Sequence, residues 1–91
     1  MRFYQECVHV AKSVGALLAE EEKVAFINDG AERIEDYQIT LGMWIRNHLL
    51  PHNAYLSKAL TLLGYTTAEE QSMYLIYFAH QYWKLSREEM L

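Results

Sequence analysis

The chain has 91 residues, 52% of them hydrophobic and 22% charged, with a formal charge of −4; this balance excludes an intrinsically disordered segment and fits one small domain with one core. One proline and four glycines favour helices over a turn-rich β fold, and a single cysteine, Cys7, excludes an internal disulfide. The longest apolar run, residues 73–79, falls far short of the ~20 residues that span a bilayer.

Residues 3–18 show the first helical spacing, with Phe3, Cys7, Val10 or Ala11, Val14 and Leu17 or Leu18 on one face. Glu6, His9 and Lys12 interrupt the apolar stretch that a secretory signal needs, so a cytoplasmic protein is expected. A short second helix begins in "AEEEKVAFIND", with its acids in the first turn, where the helix dipole favours them. Asp29-Gly30 is expected to supply a left-handed stop. "AERIEDYQ" reads as one or two helical turns or as the lead into the next helix.

This region also holds the charge imbalance. Between Glu20 and Asp36 stand seven acids (Glu20, Glu21, Glu22, Asp29, Glu32, Glu35, Asp36) and two bases (Lys23, Arg33), a local balance of −5. The rest of the chain is close to neutral. Without a basic patch to neutralise phosphates, direct nucleic-acid binding is disfavoured. The acids form either a plain solvated face or one complementary to a basic protein.

A third helix over residues 37–49 is expected to end at Pro51, which lacks an N–H and disfavours helical geometry in the residue before it. At ~100° per residue, Ile39, Met43, Arg46 and Leu50 share one side, and Leu41, Trp44, Ile45 and His48 cover the other. A helix this apolar around its circumference is expected to be central or covered by a partner. Gly42 then lets another helix approach closely, and Trp44 belongs to the core. Arg46 among Ile39, Met43 and Leu50 needs a counter-group. An internal acid such as Glu35, Asp36 or Glu6 would serve; alternatively Arg46 and Asn47 engage a partner or ligand.

Asn53 is a suitable N-cap for a fourth helix, "AYLSKALTLLGY", closed by Gly64. Thr67 and Glu70 have capping-box spacing and start a long fifth helix to about Lys84. Its core stripe is Leu75, Ile76, Ala79 and Trp83, flanked by Tyr74, Phe78 and Leu85. Met73, Tyr77, His80 and Lys84 lie on the remaining side with Glu70, as surface or as an interface, and a homodimer through this helix fits. The expected fold is therefore all-α, a compact single-domain bundle of about five short helices.

No motif carries chemistry. His48 and His52 are four apart, but Pro51 breaks their common face and no third ligand is marked, so no metal site is expected. Cys7 and His9 point about 200° apart on a helix and form no local dyad. With no phosphate loop and no catalytic constellation, neither enzyme activity nor a cofactor is expected.

"DYQITLGMWIRNHLL", followed by "LSKALTLLGYTTAEEQSMYLIYFAHQYW", resembles a family of small bacterial helical domains of unknown function that carry an L-G-[ML]-W-I-R-N box. The resemblance covers roughly residues 36–84 and implies an all-α domain of bacterial or phage origin, with Gly42, Trp44, Arg46 and Asn47 as a structural signature. The family often has a second asparagine after the box, where this chain has His48. No catalytic residue carries over.

Two functions fit these features. The first is a small acidic binding protein that neutralises a basic toxin or enzyme, in the manner of an immunity protein or phage inhibitor. Its contacts would come from Glu21, Glu32, Glu35, Tyr77, His80 and Lys84. The second is a homo-oligomeric structural or regulatory domain.

Overall fold

Short hydrogen-bonding devices written into the chain set several of the helix ends. The computed structural model describes residues 2–90, with the side chains at 31, 32 and 87–90 outside that description. The described chain is all-α, without a strand. Helices α1 (Arg2–Leu17) and α2 (Glu20–Asn28) come first. A one-turn α3 (Ala31–Ile34) then tightens into a 3₁₀ turn (Glu35–Gln38). The next helix, α4 (Leu41–Trp44), widens into a π turn (Ile45–Leu49) and tightens again into a 3₁₀ turn (Leu50–His52). The last two are α5 (Ala54–Leu62) and the long α6 (Ala68–Met90).

At the start of α5, the Asn53 side-chain oxygen accepts the Leu56 N–H at 3.0 Å, while its amide nitrogen donates to Glu6 at 2.8 Å. The cap thus also ties α5 to α1. At the other end Gly64 takes the left-handed conformation (φ 105°). The Tyr65 N–H returns to the Leu60 carbonyl and the Gly64 N–H to that of Thr61, a Schellman closure. Thr67 and Glu70 then cap α6 reciprocally: the Glu70 N–H donates to the Thr67 hydroxyl at 3.1 Å, and Glu70 accepts from the Thr67 N–H at 3.2 Å.

α6 is the axis of the molecule. Leu75, Ile76 and Ala79 are buried against Cys7, Val10, Ala11 and Val14 of α1, together with Phe26, Ile34, Ile45, Leu56 and Leu60 from the other segments. α1 crosses α6 closely at Gly15, where a Cβ would stand 2.5 Å from Cζ2 of Trp83. The indole N–H donates to the Ala11 carbonyl at 2.8 Å, which fixes the ring over the glycine. The radius of gyration, 12.6 Å, matches the roughly 12 Å of a well-packed domain this size.

Four expectations are corrected. Gly30 is not left-handed (φ −81°); α2 ends at Asp29 in an extended conformation, and Gly30 caps α3. The third helix is not continuous over 37–49, because a turn at Ile39 and Thr40 separates the first 3₁₀ turn from α4. Ile39 is therefore 73% and Met43 50% exposed, so neither packs in the core. Nor does Pro51 stop the chain's helical path: Leu50 keeps helical angles (φ −60°, ψ −41°), and its N–H reaches back to the Ile45 carbonyl. That five-residue reach widens the helix just before the proline ring, whose missing N–H and bulk an α-helix does not accommodate.

Candidate functional site: an aromatic groove on α6

The long helix is apolar over more of its circumference than its neighbours cover. On the uncovered side, Tyr65, Glu69, Glu70, Met73, Tyr74, Tyr77, Phe78 and Gln81 line an open groove of about 760 Å³, within the size range of protein binding clefts. The 70, 73, 74, 77, 78, 81 series is one helical stripe. Tyr65 comes from outside the helix. The Schellman turn delivers it, and the buried Gln71 holds it by donating from its amide nitrogen to the Tyr65 carbonyl at 2.8 Å. The same amide nitrogen lies within hydrogen-bond distance of the Ser57 carbonyl and the Thr61 hydroxyl, and its oxygen accepts from the Ser57 hydroxyl. A fully satisfied buried amide of this kind fixes one wall of the groove.

The rings are mutually braced. The Tyr65 and Tyr74 centroids are 4.9 Å apart, Phe3 approaches Tyr74 at 6.2 Å, and Tyr4 meets Phe78 edge-on at 5.9 Å. Burial pushes the Tyr74 phenol above its ordinary range, so it stays protonated. At the N-terminal mouth, the hydrogen bonds from Thr67 hold the Glu70 carboxyl below the usual range, so it is anionic.

A second cluster surrounds Arg46. The expected internal acid is not there: its guanidinium donates to the Ser72 hydroxyl at 2.9 Å and more weakly to the Gln38 carbonyl at 3.5 Å. The ion pair among the described residues is Arg2 with Glu6. Ser72 in turn donates to the Gln38 side-chain oxygen at 3.1 Å, and the Gln38 amide donates to the Glu69 carbonyl at 2.8 Å. What fills the space over Gly42 is this Gln38 side chain together with Arg46, not a neighbouring helix as expected. Trp44 is half-buried and stacks obliquely on His48 at 5.7 Å, while Asn47 is exposed. Arg46 thus ties the π turn to α6.

Of the expected contact residues, Glu21, Glu35 and Lys84 are exposed, and Tyr77 is half-buried on the groove wall. The Glu32 side chain lies outside the described residues. His80 is not on the contact surface. It is 4% exposed, edge-on to Phe26, with Nε2 3.0 Å from the Asp29 carbonyl. Tyr65, Glu69, Tyr74, Phe78 and Gln81 join the groove without having been singled out as contacts. Apart from Tyr65 and Glu69, the i, i+3, i+4 stripe starting at Glu70 contained the signal. His48 and His52 are exposed, and no three His, Cys, Asp or Glu side chains group for a metal among the described residues. No described helix is long and apolar enough to cross a membrane.

No family model matches the chain, and no curated protein or solved structure matches it either.

Proposed function

We propose that the chain is a small acidic protein that binds another protein and neutralises or inhibits it, in the manner of an immunity protein or a phage-encoded inhibitor. The supporting observation is the exposure of Glu20, Glu21, Glu35 and Asp36 without an ion pair to any described residue. Lys23, one of the two bases in this segment, is turned away over the Trp83 ring at 4.9 Å. Unpaired surface charge of one sign acts over roughly the ~8–10 Å Debye length at physiological salt. It speeds encounter with a basic partner and disfavours an acidic one. A basic toxin or enzyme fits that field, and an acidic cover over a basic substrate site would block it.

The test begins with affinity capture of the partner from the native host, followed by association rates across ionic strength. Charge reversal of Glu21, Glu32 and Glu35 to lysine is expected to slow association at least tenfold at low salt, with the gap closing near 1 M, where the Debye length is ~3 Å. An association rate indifferent to salt and to all three reversals would remove this function.

A further inference from the structure

We infer that the α6 groove is a self-recognition surface, in which two copies of the chain pair through antiparallel α6 helices about a two-fold axis at Tyr77. Glu70 of each copy then faces Lys84 of the other. This goes beyond the proposed inhibitor function and uses the groove of α6 rather than the acids of α2.

Glu70 at the groove's N-terminal mouth and Lys84, one turn beyond Gln81 on the same stripe of α6, carry the inference. Glu70 and Lys84 each lie seven residues from Tyr77, about two turns or ~10.5 Å along the axis in opposite directions. All three fall within roughly 20° of one line on the helix surface at ~100° per residue. An antiparallel pair centred on Tyr77 therefore brings a carboxylate to an ammonium at both ends. A parallel pair would set like against like. Neither Glu70 nor Lys84 forms an ion pair with a described residue. Glu70 is also prepared for the role, because Thr66 and Thr67 engage its Oε1 and leave Oε2 for a cation.

A basic helix from a different protein fits less well. It would match Glu69 and Glu70 at one mouth but meet Lys84 at the other, whereas an identical helix reversed in direction matches both. Between the charged ends lie Met73, Tyr74, Tyr77 and Phe78, the residue types that form the centres of protein interfaces. An isologous pair uses one patch twice, so every favourable contact off the axis is duplicated. The acids of α2 stay available. α2 packs on the opposite flank of α6, where Asp29 meets His80 and Lys23 covers Trp83.

Sedimentation equilibrium of the full chain over a wide concentration range tests this. The expected result is a reversible monomer–dimer equilibrium that weakens with salt. Lys84→Glu, an exposed substitution that leaves the core alone, should raise the dimer dissociation constant about tenfold. Glu70→Gln, which keeps a capping acceptor, should flatten the salt dependence. Tyr77→Cys should form an intermolecular disulfide on mild oxidation, and Lys12→Cys on α1 should not. A chain that remains a monomer at every concentration overturns the inference, as does a dimer that is indifferent to Lys84→Glu and does not cross-link through Tyr77→Cys.

Discussion

Gly15 and Gly42 should differ sharply in their response to the same substitution, because different atoms occupy the space a methyl group would take. Gly15→Ala places its Cβ 2.5 Å from Cζ2 and 2.8 Å from Cε2 of Trp83. The ring has little room to retreat: its N–H is bonded to the Ala11 carbonyl at 2.8 Å, and the Lys23 ammonium covers its face. Overpacking of this kind costs about 1–3 kcal/mol, and losing the indole hydrogen bond about 1 kcal/mol more. Removing a mid-helix glycine returns about 1 kcal/mol. The net expectation is destabilisation by roughly 1–3 kcal/mol, which lowers Tm by roughly 5–20 °C in a domain of this size. At Gly42 the obstructing atoms belong to the end of the Gln38 side chain and to Arg46. The Gln38 amide can swing into solvent, giving up its bonds to Ser72 and Glu69. That loss, about 1–2 kcal/mol, is nearly offset by helix propensity. Chemical denaturation of both variants measures the contrast. In a Trp83→Phe background, where Cζ2 and Cε2 of the indole are gone, Gly15→Ala should lose much of its cost. Equal effects at the two glycines, or no coupling between positions 15 and 83, would refute the packing account.

Asn53→Ala removes both the α5 cap and the tie to Glu6; a loss of about 1–2 kcal/mol in denaturant unfolding is expected, and a neutral result would show that the cap is dispensable. Gln71→Leu fills the same space but strands the Tyr65 carbonyl and takes the acceptor from the Ser57 hydroxyl. It should cost about 1–3 kcal/mol and loosen Tyr65, read as a changed near-UV dichroism of the aromatic groove. Alkaline pH should destabilise the fold. Burial pushes the Cys7 thiol up to about 11, and burial together with the hydrogen bond to Asp29 pushes the Tyr37 phenol up to about 12. The unfolded chain releases these protons near the ordinary values of 9.0 and 10.0. From pH 9 upward the folded state therefore holds more protons than the unfolded one, and stability falls as pH rises. Tyr37→Phe should make that fall shallower between pH 10 and 12; an unchanged slope would exclude Tyr37 as a contributor.

Local periodicity made the α1 stripe, the Asn53 cap, the Gly64 closure and the Thr67–Glu70 box legible, since each depends on residues within one or two turns. The segment between α2 and α5 was not legible for the same reason. A wheel drawn at 100° per residue assumes one α-helix, but residues 35–52 alternate 3₁₀, turn, α, π and 3₁₀ geometry. Each change shifts the phase, so Ile39 and Met43 moved from the expected core to the surface. Arg46 shows a further limit. Sequence says that a half-buried guanidinium needs acceptors, but the ones it found, a serine hydroxyl and a backbone carbonyl, lie in other segments and leave no pattern. His80 fails similarly, because α2 reaches round that edge of α6 to cover it.

The expected strength of α6 pairing follows from how much of each ring is already covered. Tyr74, Tyr77 and Phe78 are half-buried within one chain, so pairing removes only the remainder from water. At about 25 cal/mol per Å² of apolar surface, that remainder yields less than the 1.5–3 kcal/mol of a fully buried large side chain. Exposed ion pairs such as Glu70 with Lys84 add about 0–1 kcal/mol each. Against these gains stands an association cost of at least about 4 kcal/mol. The balance favours a dissociation constant in the micromolar range or weaker, near −8 kcal/mol, rather than an obligate dimer. A dimer of that strength forms and dissociates with local concentration, so the Glu20–Glu22 faces can be presented singly or as a pair. Joined in one particle, two such faces would engage a partner carrying two basic sites far more tightly than one face does.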